Sequence, residues 1–99
     1  MRYYFDWDPD KAEANLRKHK VGFEQVSGVL FDPLALTVFD EGHSEDEDRW
    51  ATMGMDSSDV LLVVVHTFQH LEEDAVKVRI ISARKATRAE ARQYKETGK

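Results

Sequence analysis

The segment Val60-Leu61-Leu62-Val63-Val64-Val65-His66-Thr67 constrains the fold more than any other part of the chain. Side chains alternate between the two faces of a strand, so a run that is apolar at every position belongs in the buried middle of a sheet. Its six aliphatic residues fall far short of the roughly 20 that a membrane-spanning helix needs. The polar turn Asp56-Ser57-Ser58-Asp59 precedes the run, and Gln69 to Asp74 is expected to interrupt the strand before Val76 to Ala83 resumes the pattern. In that next segment Val76, Val78 and Ile80 fall on one face, and Lys77, Arg79 and Ile81 on the other.

The flanking elements follow from local chemistry. Arg2 to Trp7 is short and aromatic, as a strand would be, and Asp8-Pro9 then supplies an N-cap with proline at the first helical position. A helix is predicted from Pro9 to Lys18 or His19, with Ala12, Leu16 and His19 on a common side and a basic C-terminal turn that suits the helix dipole. Val21-Gly22 breaks it. Phe23, Val26, Val29 and Leu30 recur at helical spacing in a second short helix that Asp32-Pro33 closes. Ala35 to Phe39 and Arg49 to Met53 read as strands separated by an acidic turn, and Thr87 with Glu90 forms a capping box for a helix over Arg88 to Glu96. The expectation is an α+β fold, namely an N-terminal strand and two helices, an antiparallel four-stranded meander and a C-terminal helix, with the helices on one face of the sheet. Residues 1–99 contain no repeat or linker, so one domain is expected.

The chain has no cysteine, which removes disulfides, zinc-thiolate sites and a thiol nucleophile. Acidic residues follow the N-terminal aromatic stretch at once, leaving no apolar signal region, so a cytoplasmic, membrane-free protein is expected. The formal charge of −5 hides a division. Asp40 to Asp59 holds eight acidic residues and one Arg, whereas Lys77 to Lys99 holds eight basic residues and two Glu. Lys77, Arg79, Arg84, Lys85, Arg88, Arg92 and Lys95 could together hold a polyanion, whose phosphates would release counterions on binding. The same charges could also serve only as a solvated surface, or dock an acidic partner.

Motifs narrow the chemistry. The four His at 19, 43, 66 and 70 form no metal-ligand pattern, and the phosphate-loop, dinucleotide and nucleophile-elbow signatures are all missing, so no metal or other cofactor is expected. RNA cleavage needs neither, because the substrate carries its own 2′-hydroxyl nucleophile. The protein must then supply proton transfer and positive charge at the phosphate. Arg79 and Arg84 suit the second task with their fixed donor forks. His19, Glu47 and Tyr94 are candidates for the first, although a tyrosine near pKa 10 or a glutamate near about 4.3 would need tuning. Trp7 and Trp50 read as packing anchors in preference to base-stacking platforms.

The chain contains Phe5-Asp6-Trp7-Asp8 with Lys11 and Ala12, Asn15-Leu16-Arg17-Lys18-His19 leading to Phe23-Glu24, Phe31-Asp32-Pro33, and Arg49-Trp50 with Gly54. It also contains Arg79-Ile80-Ile81-Ser82-Ala83-Arg84-Lys85-Ala86-Thr87 followed by Glu90, Arg92 and Tyr94. Together these stretches resemble the BrnT toxins of type II toxin–antitoxin systems, the last of them being the most specific. The resemblance implies a fold similar to the RelE and ParE toxins, ribonuclease activity that arrests translation, and neutralisation by a BrnA-type antitoxin whose ribbon-helix-helix region binds DNA. It leaves room for a toxin dimer within that complex and implies no specific DNA binding by this chain itself. Arg79, Arg84, Tyr94 and His19 are then the candidate catalytic residues, and Lys77, Lys85, Arg88, Arg92 and Lys95 the candidate RNA-binding residues. Lys20 stands where that family commonly has Gly, Gly22 where Ser is common, and Ala91 where a further Arg is common, which removes one charge from the expected RNA face. The alternative function is a non-catalytic protein that docks a partner through its basic C-terminal face. A direct DNA-binding repressor fits less well, since no recognition-helix arrangement is visible.

Overall fold

A computed structural model describes residues 1–43 and 47–97. The chain runs through β1 (Arg2–Asp6), α1 (Pro9–His19), a 3₁₀ turn (Phe23–Gln25) continuing into α2 (Val26–Leu30), and β2 (Leu36–Phe39). A second 3₁₀ turn (Glu41–His43), β3 (Trp50–Met55), β4 (Leu61–Glu72), β5 (Ala75–Lys85) and α3 (Arg88–Thr97) complete it. The strands form one sheet in the order β1-β5-β4-β3-β2, with the apolar run in β4 at its centre.

β2 to β5 form the expected antiparallel meander. The sheet nevertheless has five strands, because β1 lies parallel to β5 with Asp6 opposite Arg79. Nothing local in Arg2–Asp6 specifies that partner; the rest of the chain is the crossover that brings β1 back to the last strand. The expected interruption at Gln69 to Asp74 is also smaller than predicted. β4 continues to Glu72, pairing Phe68 with Val78 and His70 with Val76, and only Glu73-Asp74 turns. The polar residues there are exposed at the far end of a long hairpin, so their polarity reports solvent contact and not a break in the strand.

The helices divide between the faces, which corrects the expectation that they share one. Val21, Phe23, Val26 and Val29 pack on Leu62, Val64, Ile80 and Ala83, with Trp7 and Ala12 at the margin. Tyr94 of α3 packs instead on Met53 and Val63, flanked by Leu36, Met55, Leu61 and Ala86. Alternate residues of β4 thus serve opposite layers, as a strand apolar throughout requires. Full burial of a side chain such as Leu62 contributes about 1.5–3 kcal/mol. α2 approaches β3 closely at Gly54, where a Cβ atom would lie 2.8 Å from the Val29 carbonyl oxygen.

α1 is held by its caps and by one buried side chain. Asp8 accepts the Asp10 amide at 2.8 Å, Pro9 occupies the first turn, and Lys20 closes the helix at φ 61° with its N–H on the Leu16 carbonyl. Asn15, 7% exposed, donates to the carbonyls of Val21 (3.0 Å) and Ala83 (2.8 Å) and accepts the Ala83 amide at 3.1 Å. β1 ends opposite Arg79, so beyond that point the outer edge of β5 has no neighbouring strand, and Asn15 satisfies the backbone that a strand would otherwise have paired.

Candidate functional site

The sheet face opposite α1 and α2 is covered by α3 at one end only. Cross-strand pairing puts Leu36, Met53, Val63 and Arg84 in one row across this face, and Val38, Ala51, Val65 and Ser82 in the next. Arg79, opposite Thr67, follows further along. A cavity of about 350 Å3 occupies the middle of this surface, lined by Val38, Asp40, Ala51, Val63, Val65 and the polar pair Ser82 and Arg84.

A β-bulge decides which side chains reach that face. Arg79 and Arg84 are five residues apart, and in a regular strand they would point to opposite sides. Ser82 pairs with Val65 while Ile80 pairs with His66, so Ile81 is an extra residue in β5. The insertion resets the alternation and brings both arginines to the open face.

Each arginine is oriented by a carboxylate. Arg84 forks onto Glu90, with Nη1–Oε1 at 2.7 Å and Nη2–Oε2 at 2.9 Å. Glu90 Oε1 also accepts the Thr87 amide at 2.8 Å, while Thr87 Oγ accepts the Glu90 amide at 3.2 Å, completing the expected capping box. The Arg84 guanidinium is the chief reason the Glu90 carboxyl falls to about 2, and Glu90 in turn raises Arg84. Arg79 Nη1 lies 2.8 Å from Asp6 Oδ2, and Lys77 Nζ lies 3.4 Å from the same oxygen. Desolvation raises the Asp6 carboxyl, but Lys77 and then Arg79 outweigh it and hold Asp6 below its ordinary value. A guanidinium has five N–H donors, so one carboxylate leaves others for a phosphate.

The remaining predicted residues fall in three places. Tyr94 stands beside the Arg84 row, but its hydroxyl donates to Asp32 Oδ2 at 2.5 Å, and chiefly for that reason its pKa is pushed up to about 12. His19 ends α1 on the covered layer, and the structure does not bring it to the arginines. Arg88, Arg92 and Lys95 are exposed on the side of α3 away from Glu90 and Tyr94, forming an outward ridge, and Lys85 is exposed at the end of β5. Glu47 lies at the rim, 3.7 Å from Arg49. Trp7 and Trp50 are half-buried against Phe23 and Phe39, with ring centroids 6.0 and 5.1 Å apart.

Sequence reading passed over Asp40, Arg49 and Ser82 as site residues, although all three line this face. Alternation from the half-buried Trp50 was the available signal for Arg49; Ser82 depends on the bulge, which leaves no mark in the sequence. Among the described residues, no group of three His, Asp or Glu side chains converges as a metal site, and no helix is long and apolar enough to cross a membrane.

Fold and face together define an α+β domain with a half-open sheet that presents fixed guanidinium groups around a shallow cavity. Residues 7–90 match the model of the family described as ribonuclease toxin, BrnT, of type II toxin–antitoxin systems. The chain belongs to the BrnT toxin family. The crystal structure of the Brucella abortus ribonuclease toxin BrnT has a similar fold, with a TM-score of 0.57 at 21% identity over 89% of this chain and all of that one. No curated protein matches the chain in sequence. Membership in a type II toxin family implies an antitoxin partner.

Proposed function

We propose that this chain is an endoribonuclease toxin that grips the RNA backbone on its open sheet face. Arg79 and Arg84 hold the scissile phosphate region and stabilise the charge that develops as the 2′-hydroxyl attacks phosphorus and the P–O5′ bond breaks, leaving a 2′,3′-cyclic phosphate, with water taking the hydroxyl proton and returning one to the leaving 5′-oxygen. The observation that carries this reading is the bulge at Ile81, which puts two carboxylate-oriented arginines on one uncovered face. The family's description as ribonuclease toxins supports the substrate. Because the nucleophile belongs to the RNA and the two guanidinium groups supply fixed positive charge, the reaction requires no metal in this reading. Lys77 adds charge beside Arg79, and Lys85 and the α3 ridge extend the attraction for the backbone beyond the cavity.

Proton transfer does not fall on His19 or Tyr94 in this reading. Tyr94 positions α3, and with it the Glu90–Arg84 fork. The protein acts in the cytoplasm, arrests translation by cutting RNA, and is neutralised by a BrnA-type antitoxin carrying the DNA-binding ribbon-helix-helix region. A second reading draws on the outward ridge of Arg88, Arg92 and Lys95, which could dock a partner without any cleavage.

Cleavage of total RNA in excess EDTA by the purified protein tests both. Loss of cleavage in folded Arg79→Ala and Arg84→Ala variants supports the nuclease. Retained antitoxin binding with no cleavage by a folded wild type supports the docking protein.

A further inference from the structure

We propose that Arg49 is a third phosphate-gripping side chain, holding the RNA strand at the end of the cavity away from Arg84. The inference rests on the ribonuclease reading and extends it to a residue outside the Arg79–Arg84 pair.

Four observations place Arg49 there. Trp50 pairs with His66 and so shares its face, and alternation puts Arg49 on the other side with Ala51 and Met53. The Asp40 amide donates to the Arg49 carbonyl at 2.8 Å, which carries the pairing of β2 and β3 past the end of both strands. Arg49 then lines a cavity of about 140 Å3 with Asp40, Val65, Ile81 and Ser82. The cavity of about 350 Å3 that ends at Arg84 shares Asp40, Val65 and Ser82 with it, so the two are parts of one depression with an arginine at each end.

Extending the register by one residue sets Arg49 opposite Thr67, whose other neighbour is Arg79. Arg49 and Arg79 are therefore about 10 Å apart across the sheet, and Arg84 lies roughly 14 Å from Arg79 along β5. The three enclose Val65 and Ser82. A carboxylate, Glu47, stands 3.7 Å from the Arg49 guanidinium, beyond hydrogen-bond distance. The Arg49 side chain is 29% exposed, less than that of Arg79 or Arg84, so its charge acts through a partly desolvated surround. A single strand crossing from Arg84 toward Arg49 would lay its phosphates on guanidinium groups and a sugar or base edge over Val65 and Ser82.

The test uses a fluorescent single-stranded RNA with 2′-O-methyl groups, which lacks the nucleophile and is not cut. Its anisotropy is followed across a salt series with the wild type, Arg49→Gln and Arg84→Gln. Arg49→Gln is expected to bind about 3- to 10-fold more weakly at low salt and to flatten the slope of log K against log salt by about 0.7, the value for one lost phosphate contact on a single strand. Simple loss of packing would lower thermal stability and leave that slope unchanged.

Arginine-selective modification of the wild type by phenylglyoxal, read by peptide mass spectrometry, gives a result even if the variant fails to fold. RNA should protect Arg49 together with Arg84. Protection and weakened binding at Arg84, with Arg49 unprotected and Arg49→Gln binding like the wild type, overturns the role of Arg49 and leaves the ribonuclease reading standing. A wild type that neither binds nor cuts RNA overturns both.

Discussion

Asp32 and Tyr94, 62 residues apart in the chain, are joined by a hydrogen bond that fastens α3 to the loop after α2. The same Asp32 oxygen accepts the Met55 amide at 2.8 Å, and its other oxygen accepts the Leu34 amide at 2.9 Å. Burial would raise the Asp32 carboxyl, but the Met55 amide, the Tyr94 hydroxyl and the Leu34 amide outweigh it and hold the group ionised. One carboxylate thereby ties three segments at the end of the sheet where α3 must sit to bring Glu90 to Arg84.

Tyr94→Phe keeps the ring on Met53 and Val63 and removes only the hydroxyl. Urea unfolding should show a loss of about 1–2 kcal/mol. RNA cleavage per folded molecule should stay within a few-fold of wild type. A hundredfold fall in rate with the fold intact would return a proton-transfer role to Tyr94.

Glu90→Gln tests the fork. The folded carboxyl is held at about 2 against an ordinary value of 4.5, so its contribution to stability is complete above pH 4.5 and lost as pH falls toward 2. The pair is partly solvated, which limits that contribution to about 1–2 kcal/mol. Acid titration of the variant should show a shallower fall in stability between pH 4.5 and 2. At pH 7 the variant frees Arg84 to change orientation, so cleavage should fall several-fold while RNA binding at low salt is kept or strengthened.

His66 is fully buried beneath the ring of Phe68, with centroids 4.6 Å apart, and its Nε2 lies 2.7 Å from Thr52 Oγ, which lies 2.9 Å from Thr37 Oγ. Burial pushes its pKa down to about 4 from 6.5, with only the Thr67 backbone opposing. Between those values the unfolded chain takes up a proton that the folded one refuses, so stability is full above pH 6.5 and declines as pH falls to 4. The loss is of order 3 kcal/mol at most. A His66→Gln protein is expected to lose stability at pH 7 and to lose this slope. An unchanged slope in the variant would assign the pH dependence to the carboxylates.

Lys20 closes α1 in the left-handed region, at φ 61°. A lysine there carries a backbone cost that glycine avoids. Lys20→Gly should therefore raise the melting temperature by a few degrees, corresponding to roughly 0.5–1 kcal/mol, without changing cleavage. A drop in melting temperature would show that the Lys20 side chain contributes more than the backbone strain removes.

The boundaries of α1 and α3 and the order of the meander were legible from caps, breakers and periodicity, all of which act within a few residues, whereas the expected second helix from Phe23 begins as a 3₁₀ turn and becomes α-helical only at Val26. Pro9–His19 and Arg88–Thr97 agree with their sequence-based expectations to within a residue. The reach of β4 was not, because polarity at Gln69 and His70 cannot distinguish a turn from a solvent-exposed strand end. Family membership was legible in the Arg79 to Tyr94 stretch, yet the geometry that puts Arg79 and Arg84 on one face was not. Simple alternation separates them, and the bulge that reunites them is set by how β4 and β5 register.

By itself, the sequence determined that the apolar run is the buried central strand, that helices start just after Asp8 and Thr87, and that positive charge concentrates from Lys77 onward. These are local or compositional properties. Only the tertiary structure decided that β1 pairs with β5, that α3 takes the face opposite α1 and α2, that the Tyr94 hydroxyl meets Asp32, and that Arg49 lies across the cavity from Arg84. Each of these depends on contacts between segments distant in the chain, whose free energies exist only once the sheet has set their register.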